Sequence, residues 1–115
     1  MTTQQELSFS RRPHAAPVAA SERASRIADP GFGRVFTDHM VTIRWTLDRG
    51  WCDAEVRARE PFQLDPASAV LHYAQEIFEG LKAYRMKDGG VALFRPERNA
   101  RRFQASAERL DAGLA

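Results

Sequence analysis

The stretch Phe78-Glu79-Gly80-Leu81-Lys82-Ala83-Tyr84-Arg85-Met86-Lys87-Asp88-Gly89-Gly90-Val91-Ala92-Leu93-Phe94-Arg95-Pro96 decides the fold class. Two runs of apolar and aromatic residues, 78–85 and 91–95, flank Asp88-Gly89-Gly90. Glycine reaches the positive-φ turn conformations that a tight hairpin demands, so this pattern predicts two antiparallel strands. Pro96 has no N–H to lose at the first helical position, and it opens a helix. Along that helix Ala100, Phe103, Ala107 and Leu110 form one apolar stripe. Asp111-Ala112-Gly113 can close it. Upstream, Asp65-Pro66 resembles an N-cap followed by proline, predicting a short helix over residues 67–75.

A second hairpin precedes these elements. Val41, Ile43, Trp45 and Leu47 alternate with Thr42, Arg44 and Thr46, the period of a half-buried strand. Asp48-Arg49-Gly50 supplies the turn. Cys52, Ala54, Val56 and Ala58 then alternate with Asp53, Glu55, Arg57 and Arg59 as the returning strand, and Trp45 and Trp51 pack beside the turn. The expected class is α/β, with β-hairpins packed against two helices. Residues 1–30 differ in kind: they hold one aromatic, Phe9, and are broken by Pro13, Pro17 and Pro30. They are expected to form a flexible arm with a helical turn over 19–27, ahead of a domain at 31–115. Glu6, Glu22 and Asp29 argue against a transit peptide.

Composition narrows the function classes. The chain has 115 residues, 43% of them hydrophobic and 10% aromatic, enough for one domain with a core. Mean hydropathy is −0.47 and no apolar run is long enough to span a bilayer. The single cysteine, Cys52, cannot build a thiolate zinc site. His14, His39 and His72 lack metal-ligand spacing. A net charge of +2 gives no case for nucleic acid. Lys82 and Lys87 are the sole lysines among 17 basic residues; the rest are arginines, which hold oxyanions in a fixed fork. Arg98 and Arg102 are neighbours near the start of the last helix, where a phosphate could sit. A solvated helix face, with Glu97 paired to Arg101, explains the same residues.

The run Leu71-His72-Tyr73-Ala74-Gln75-Glu76-Ile77-Phe78-Glu79-Gly80-Leu81-Lys82-Ala83-Tyr84-Arg85 resembles a signature of the branched-chain amino acid aminotransferases, which are fold-type IV pyridoxal-phosphate enzymes. Leu93-Phe94-Arg95-Pro96-Glu97-Arg98-Asn99-Ala100-Arg101-Arg102-Phe103 and Phe32-Gly33-Arg34-Val35-Phe36-Thr37-Asp38-His39-Met40 resemble two further blocks of that family. The Thr-Asp-His-Met block points away from the D-amino acid aminotransferases and aminodeoxychorismate lyases. The resemblance implies the small N-terminal domain of such an enzyme. It implies pyridoxal 5'-phosphate as cofactor, with Arg102 on its phosphate and Phe32, Tyr73 and Phe78 lining the substrate side-chain pocket.

The resemblance further implies amino transfer from Leu, Ile or Val to 2-oxoglutarate, in a homodimer; with no apolar signal-peptide core and with acids against a transit peptide, the expected location is the cytoplasm. The family's Schiff-base lysine lies downstream of the last matched block, and neither Lys82 nor Lys87 matches it. The chain is therefore expected to be an N-terminal fragment, inactive alone. The alternative is a non-catalytic or partner-dependent remnant. On the residues alone, Phe32 and Phe78 read as ordinary core, His39 and His72 are structural or hydrogen-bonding histidines, and the role of Glu79 is not legible.

Overall fold

The computed structural model describes residues 7–110. They run β1 (Ser10–Arg12), α1 (Ala20–Ala28), β2 (His39–Thr46), β3 (Gly50–Ala58), α2 (Ala69–Tyr73), β4 (Ala83–Arg85), β5 (Val91–Leu93) and α3 (Pro96–Arg109). Contacts divide the chain into two units, Met1–Phe62 and Gln63–Ala115.

In the first unit β3 is the middle strand of a sheet ordered β1-β3-β2. The β2–β3 hairpin forms where alternation places it. Thr46 pairs with Gly50, whose φ of 64° only glycine adopts freely, and Trp45 lies directly opposite Trp51. The alternation of β3 is nevertheless interrupted. Thr42 pairs with Glu55 but Arg44 pairs with Cys52, so one residue of β2 faces two of β3. This is a β-bulge, and Asp53 sits in it at φ 52°. Aspartate is among the few side chains that tolerate the left-handed region. Arg49 holds its carboxylate with both terminal nitrogens, at 2.8 and 3.2 Å. The bulge puts Cys52 on the face of Arg44 and Val56 on the face of Val41. Cys52 and Val56 therefore do not share the single side expected of them. Val41, Ile43 and Trp45, the expected buried side of β2, are exposed.

The stretch before Gly31 holds regular structure beyond the expected helical turn. β1 runs parallel to β3, with Ser10 opposite Glu55 and Arg12 opposite Arg57. Arg12 reaches Glu55 at 3.3 Å. The Thr37-Asp38-His39 segment ties the arm down. His39 Nε2 accepts the His14 N–H at 2.9 Å, and Asp38 Oδ2 accepts the Val18 N–H at 3.2 Å. A three-residue polar strand held by backbone bonds carries no hydropathy signal, which is why an extended arm is the sequence expectation there.

In the second unit Asp65 does not cap the helix. Its Oδ1 accepts the Ala67 N–H at 2.7 Å and its carbonyl accepts the Ser68 N–H at 2.9 Å. These bonds make a local turn, and α2 starts afterwards at Ala69. The helix stops at Tyr73 because Ala74 turns left-handed, at φ 49° and ψ 37°. Residues 74–82 form no regular element, so the strand expected over 78–85 shortens to β4. β4 and β5 pair with Ala83 opposite Leu93 and Arg85 opposite Val91. Gly89, at φ 85°, makes their turn, and Asp88 Oδ1 accepts the Gly90 N–H at 2.9 Å. α3 starts at Pro96 as expected. The stop signal at 111–113 lies outside the described residues.

Little of this is covered. Cys52, Ala54 and Ala107 form the whole buried apolar set among the described residues, and no large side chain is fully buried. Among the described residues strands pair with strands, but no helix packs comparably on the sheet of its own unit, contrary to the expected hairpins packed with two helices. Of the α3 stripe, only Ala107 is buried. Many large apolar side chains are thus left open among the described residues.

Ala74 supplies a stability test. A left-handed alanine costs about 1 kcal/mol that glycine does not incur. Ala74→Gly is expected to raise the urea midpoint of the Gln63–Ala115 unit, followed by helical circular dichroism, by the equivalent of about 1 kcal/mol. A lowered midpoint would show that Ala74 is not left-handed in solution.

Candidate functional site

The second unit concentrates its polar contacts on Glu79. Asn99 and Arg102, three apart in α3, lie on one helix face, and both reach back to this carboxylate in the 74–82 segment. Arg102 Nε donates to Glu79 Oε2 at 2.6 Å, and Arg102 Nη2 donates to Oε1. Asn99 Nδ2 donates to the same Oε1 at 2.9 Å and to the Gly80 carbonyl at 2.7 Å. The Gly80 N–H adds a bond to Oε1 at 3.0 Å. The glutamate side chain is only 11% exposed, whereas that of Arg102 is 69% exposed. The carboxylate is thus the inner, fixed member of the pair.

Electrostatics follow the geometry. Bonds from Arg102, then from Asn99, favour the charged carboxylate and outweigh its partial desolvation, bringing its pKa down from 4.5 to about 2. The same pairing raises the pKa of Arg102. Glu79 uses the Nε–Nη2 edge of the guanidinium. Among the described residues Nη1 takes no protein partner, so the Nη1–Nη2 edge faces solvent. A planar guanidinium held on one edge can present the other, in a fixed direction, to two oxygens of an oxyanion.

The other expected site residues stand free. Phe32 is fully exposed, in a turn between Gly31 and Gly33 at φ 61° and 68°; Tyr73 is 80% exposed at the end of α2, and Phe78 is 89% exposed beside Glu79. None is core, so the packing alternative for Phe32 and Phe78 is not realised within the described residues. The Tyr73 hydroxyl has no hydrogen-bond partner among them. Lys82 lies 5.3 Å over the Tyr84 ring, and Lys87 is at the β4–β5 turn. Arg98 and Arg101 are exposed. Glu97 meets Arg95, at 3.9 Å, rather than Arg101.

Glu79 and Asn99 escape a reading by sequence. The contacts between the 74–82 segment and α3 span 19 to 23 positions along the chain, and only the three-residue spacing of Asn99 and Arg102 hints at a shared target. In the first unit, open grooves of ≈ 430 and ≈ 460 Å³ lie between α1 and residues 35–39, where Arg59 stacks 4.2 Å over Phe36. Among the described residues no three His, Cys, Asp or Glu side chains converge for a metal ion, and no helix is long and apolar enough to cross a membrane.

No protein-family model matches the chain. Curated proteins do. It is 65% identical over 99 residues to a probable branched-chain-amino-acid aminotransferase of Streptomyces coelicolor, an alignment covering 86% of this chain and 27% of that protein. The chain is homologous to a segment of the branched-chain-amino-acid aminotransferases. The Mycolicibacterium smegmatis enzyme of that name is 54% identical over 104 residues, covering 90% of this chain and 28% of the relative. The cytosolic yeast enzyme is 47% identical over 79 residues, covering 69% and 21%. The chain thus spans 27% and 28% of the length of its first two relatives.

The Glu79 contacts predict a pH response. With the folded-state pKa below the ordinary 4.5, the stabilising contribution of the pair is present above that value and is lost as pH falls towards about 2. Carboxyl-carbon NMR is expected to show Glu79 titrating near 2, and to move the midpoint up in Arg102→Ala. A midpoint unchanged by Arg102→Ala would contradict the pairing.

Proposed function

We propose that this chain is the N-terminal, smaller domain of a branched-chain-amino-acid aminotransferase of fold type IV. The whole enzyme would move the amino group of Leu, Ile or Val to 2-oxoglutarate, as a cytoplasmic homodimer. The observation that carries this reading is Arg102: a solvent-facing guanidinium edge beside an anchored carboxylate, in a chain homologous to those enzymes. That donor set fits a phosphate monoester.

Pyridoxal 5'-phosphate, when bound, supplies an electron sink to the amino-acid substrate. In this reading Arg102 would hold the cofactor's phosphate through the guanidinium edge that Glu79 leaves unused. Phe32, Tyr73 and Phe78 would each offer apolar surface of the kind that a branched aliphatic side chain requires. All three are exposed among the described residues, so each is free for such contact. Lys82 and Lys87 do not match the family's Schiff-base position, and neither is given a role in the transfer.

The test is a graft. In the Streptomyces coelicolor enzyme, the matched segment is replaced by this chain. The graft is expected to transaminate leucine with 2-oxoglutarate, while the 115-residue chain alone does not. Arg102→Ala in the graft is expected to weaken cofactor affinity roughly ten- to a hundredfold, as loss of a charge-assisted bidentate contact does. Arg102→Lys should recover part of it, and Arg101→Ala, about 100° round the helix, should change little. A folded graft that binds cofactor without turnover would favour the non-catalytic remnant. Undiminished cofactor affinity in Arg102→Ala would remove the phosphate assignment.

A further inference from the structure

We propose that Glu79 is the positioning residue of Arg102, holding the guanidinium by its Nε–Nη2 edge so that the Nη1–Nη2 edge is aimed at the cofactor phosphate. This rests on the assignment of Arg102 to the phosphate and goes beyond it, to what makes that arginine competent.

The geometry has three parts. First, the carboxylate is locked. Oε1 accepts from Asn99 and from the Gly80 N–H as well as from Arg102, so it has two anchors that do not depend on the guanidinium. Second, the lock spans two elements. Glu79 and Gly80 belong to the 74–82 segment, while Asn99 and Arg102 belong to α3, and Asn99 also bonds the Gly80 carbonyl at 2.7 Å. Third, burial is graded, from a largely covered carboxylate to a mostly exposed guanidinium. An unpaired arginine of that exposure would sample many rotamers. A planar fork held on one edge loses that freedom before the anion arrives, so less is lost on binding.

Charge makes the inference falsifiable by sign. A carboxylate beside a phosphate repels it, so if Glu79 were only a neighbour, removing its charge would tighten anion binding. If Glu79 positions Arg102, removing its charge weakens binding, because the lost orientation outweighs the relieved repulsion.

The experiment titrates the cofactor-free graft with pyridoxal 5'-phosphate, following protein fluorescence, in four variants: Glu79→Gln, Glu79→Asp, Arg102→Ala and the Glu79→Gln/Arg102→Ala double. Glu79→Gln is expected to weaken affinity roughly three- to tenfold, with no further weakening in the Arg102→Ala background, the pattern of coupled neighbours. In the same samples the Arg102 Nε–H NMR signal, protected from exchange by Glu79, should be lost in Glu79→Gln. Tighter or unchanged binding in Glu79→Gln, with Arg102→Ala still weakened, overturns the positioning role and leaves the phosphate assignment standing. Unchanged binding in Arg102→Ala overturns the assignment itself. Should Glu79→Gln fail to fold, Glu79→Asp decides: it keeps the charge on a shorter arm, and an affinity equal to that of the unsubstituted graft overturns the proposal.

Discussion

One carboxylate organises the chemistry-bearing half of this chain. Glu79 collects hydrogen bonds from Arg102, Asn99 and the Gly80 N–H, and it thereby fastens an irregular segment to the first turns of α3. Residues 74–82 have no ladder of their own, so their backbone direction depends on such side-chain ties. What the 74–82 segment displays (Phe78 above all) and what α3 displays (Arg102) are consequently placed with respect to each other by a single acid. That acid stays charged across the neutral range because its partners favour the anion more strongly than partial burial disfavours it.

The rest of the molecule is defined by what it leaves uncovered. A domain of this size ordinarily buries large apolar side chains, yet here only Cys52, Ala54 and Ala107 are buried among the described residues. Phe32, Tyr73 and Phe78 stand in solvent, as do Val41 and Phe94. Hydrogen bonding, by contrast, is well satisfied: the hairpins close, the arm is pinned by Asp38 and His39, and no buried side-chain polar atom lacks a partner among the described residues. Backbone order therefore rests on hydrogen bonds far more than on apolar burial among the described residues.

Much of the local structure was legible from residue pattern. Alternation from Val41 onward located the first hairpin, Asp88-Gly89-Gly90 the second, and Pro96 the start of α3, because each signal is set by neighbours in sequence. The misses share a cause. The Asp53 bulge adds one residue with no hydropathy signature, and Asp65-Pro66 spells a cap and a local turn with the same letters. β1 is held through backbone bonds to a strand over forty residues away, to which a polar Ser-Arg-Arg run gives no clue. At the candidate site, family resemblance points to Arg102, whereas its contacts with Glu79 and the part of Asn99 follow from the fold alone: residue types show that an ion pair is possible but not which acid a given arginine meets.

The most direct measurement is a crystal structure of the grafted enzyme with pyridoxal 5'-phosphate bound. If Glu79 orients Arg102, its carboxylate will remain on the Nε–Nη2 edge, with Nε near the 2.6 Å seen here, and two phosphate oxygens will lie on the Nη1–Nη2 edge. A phosphate seated on the Nε–Nη2 edge, with Glu79 turned away from the guanidinium, would contradict it.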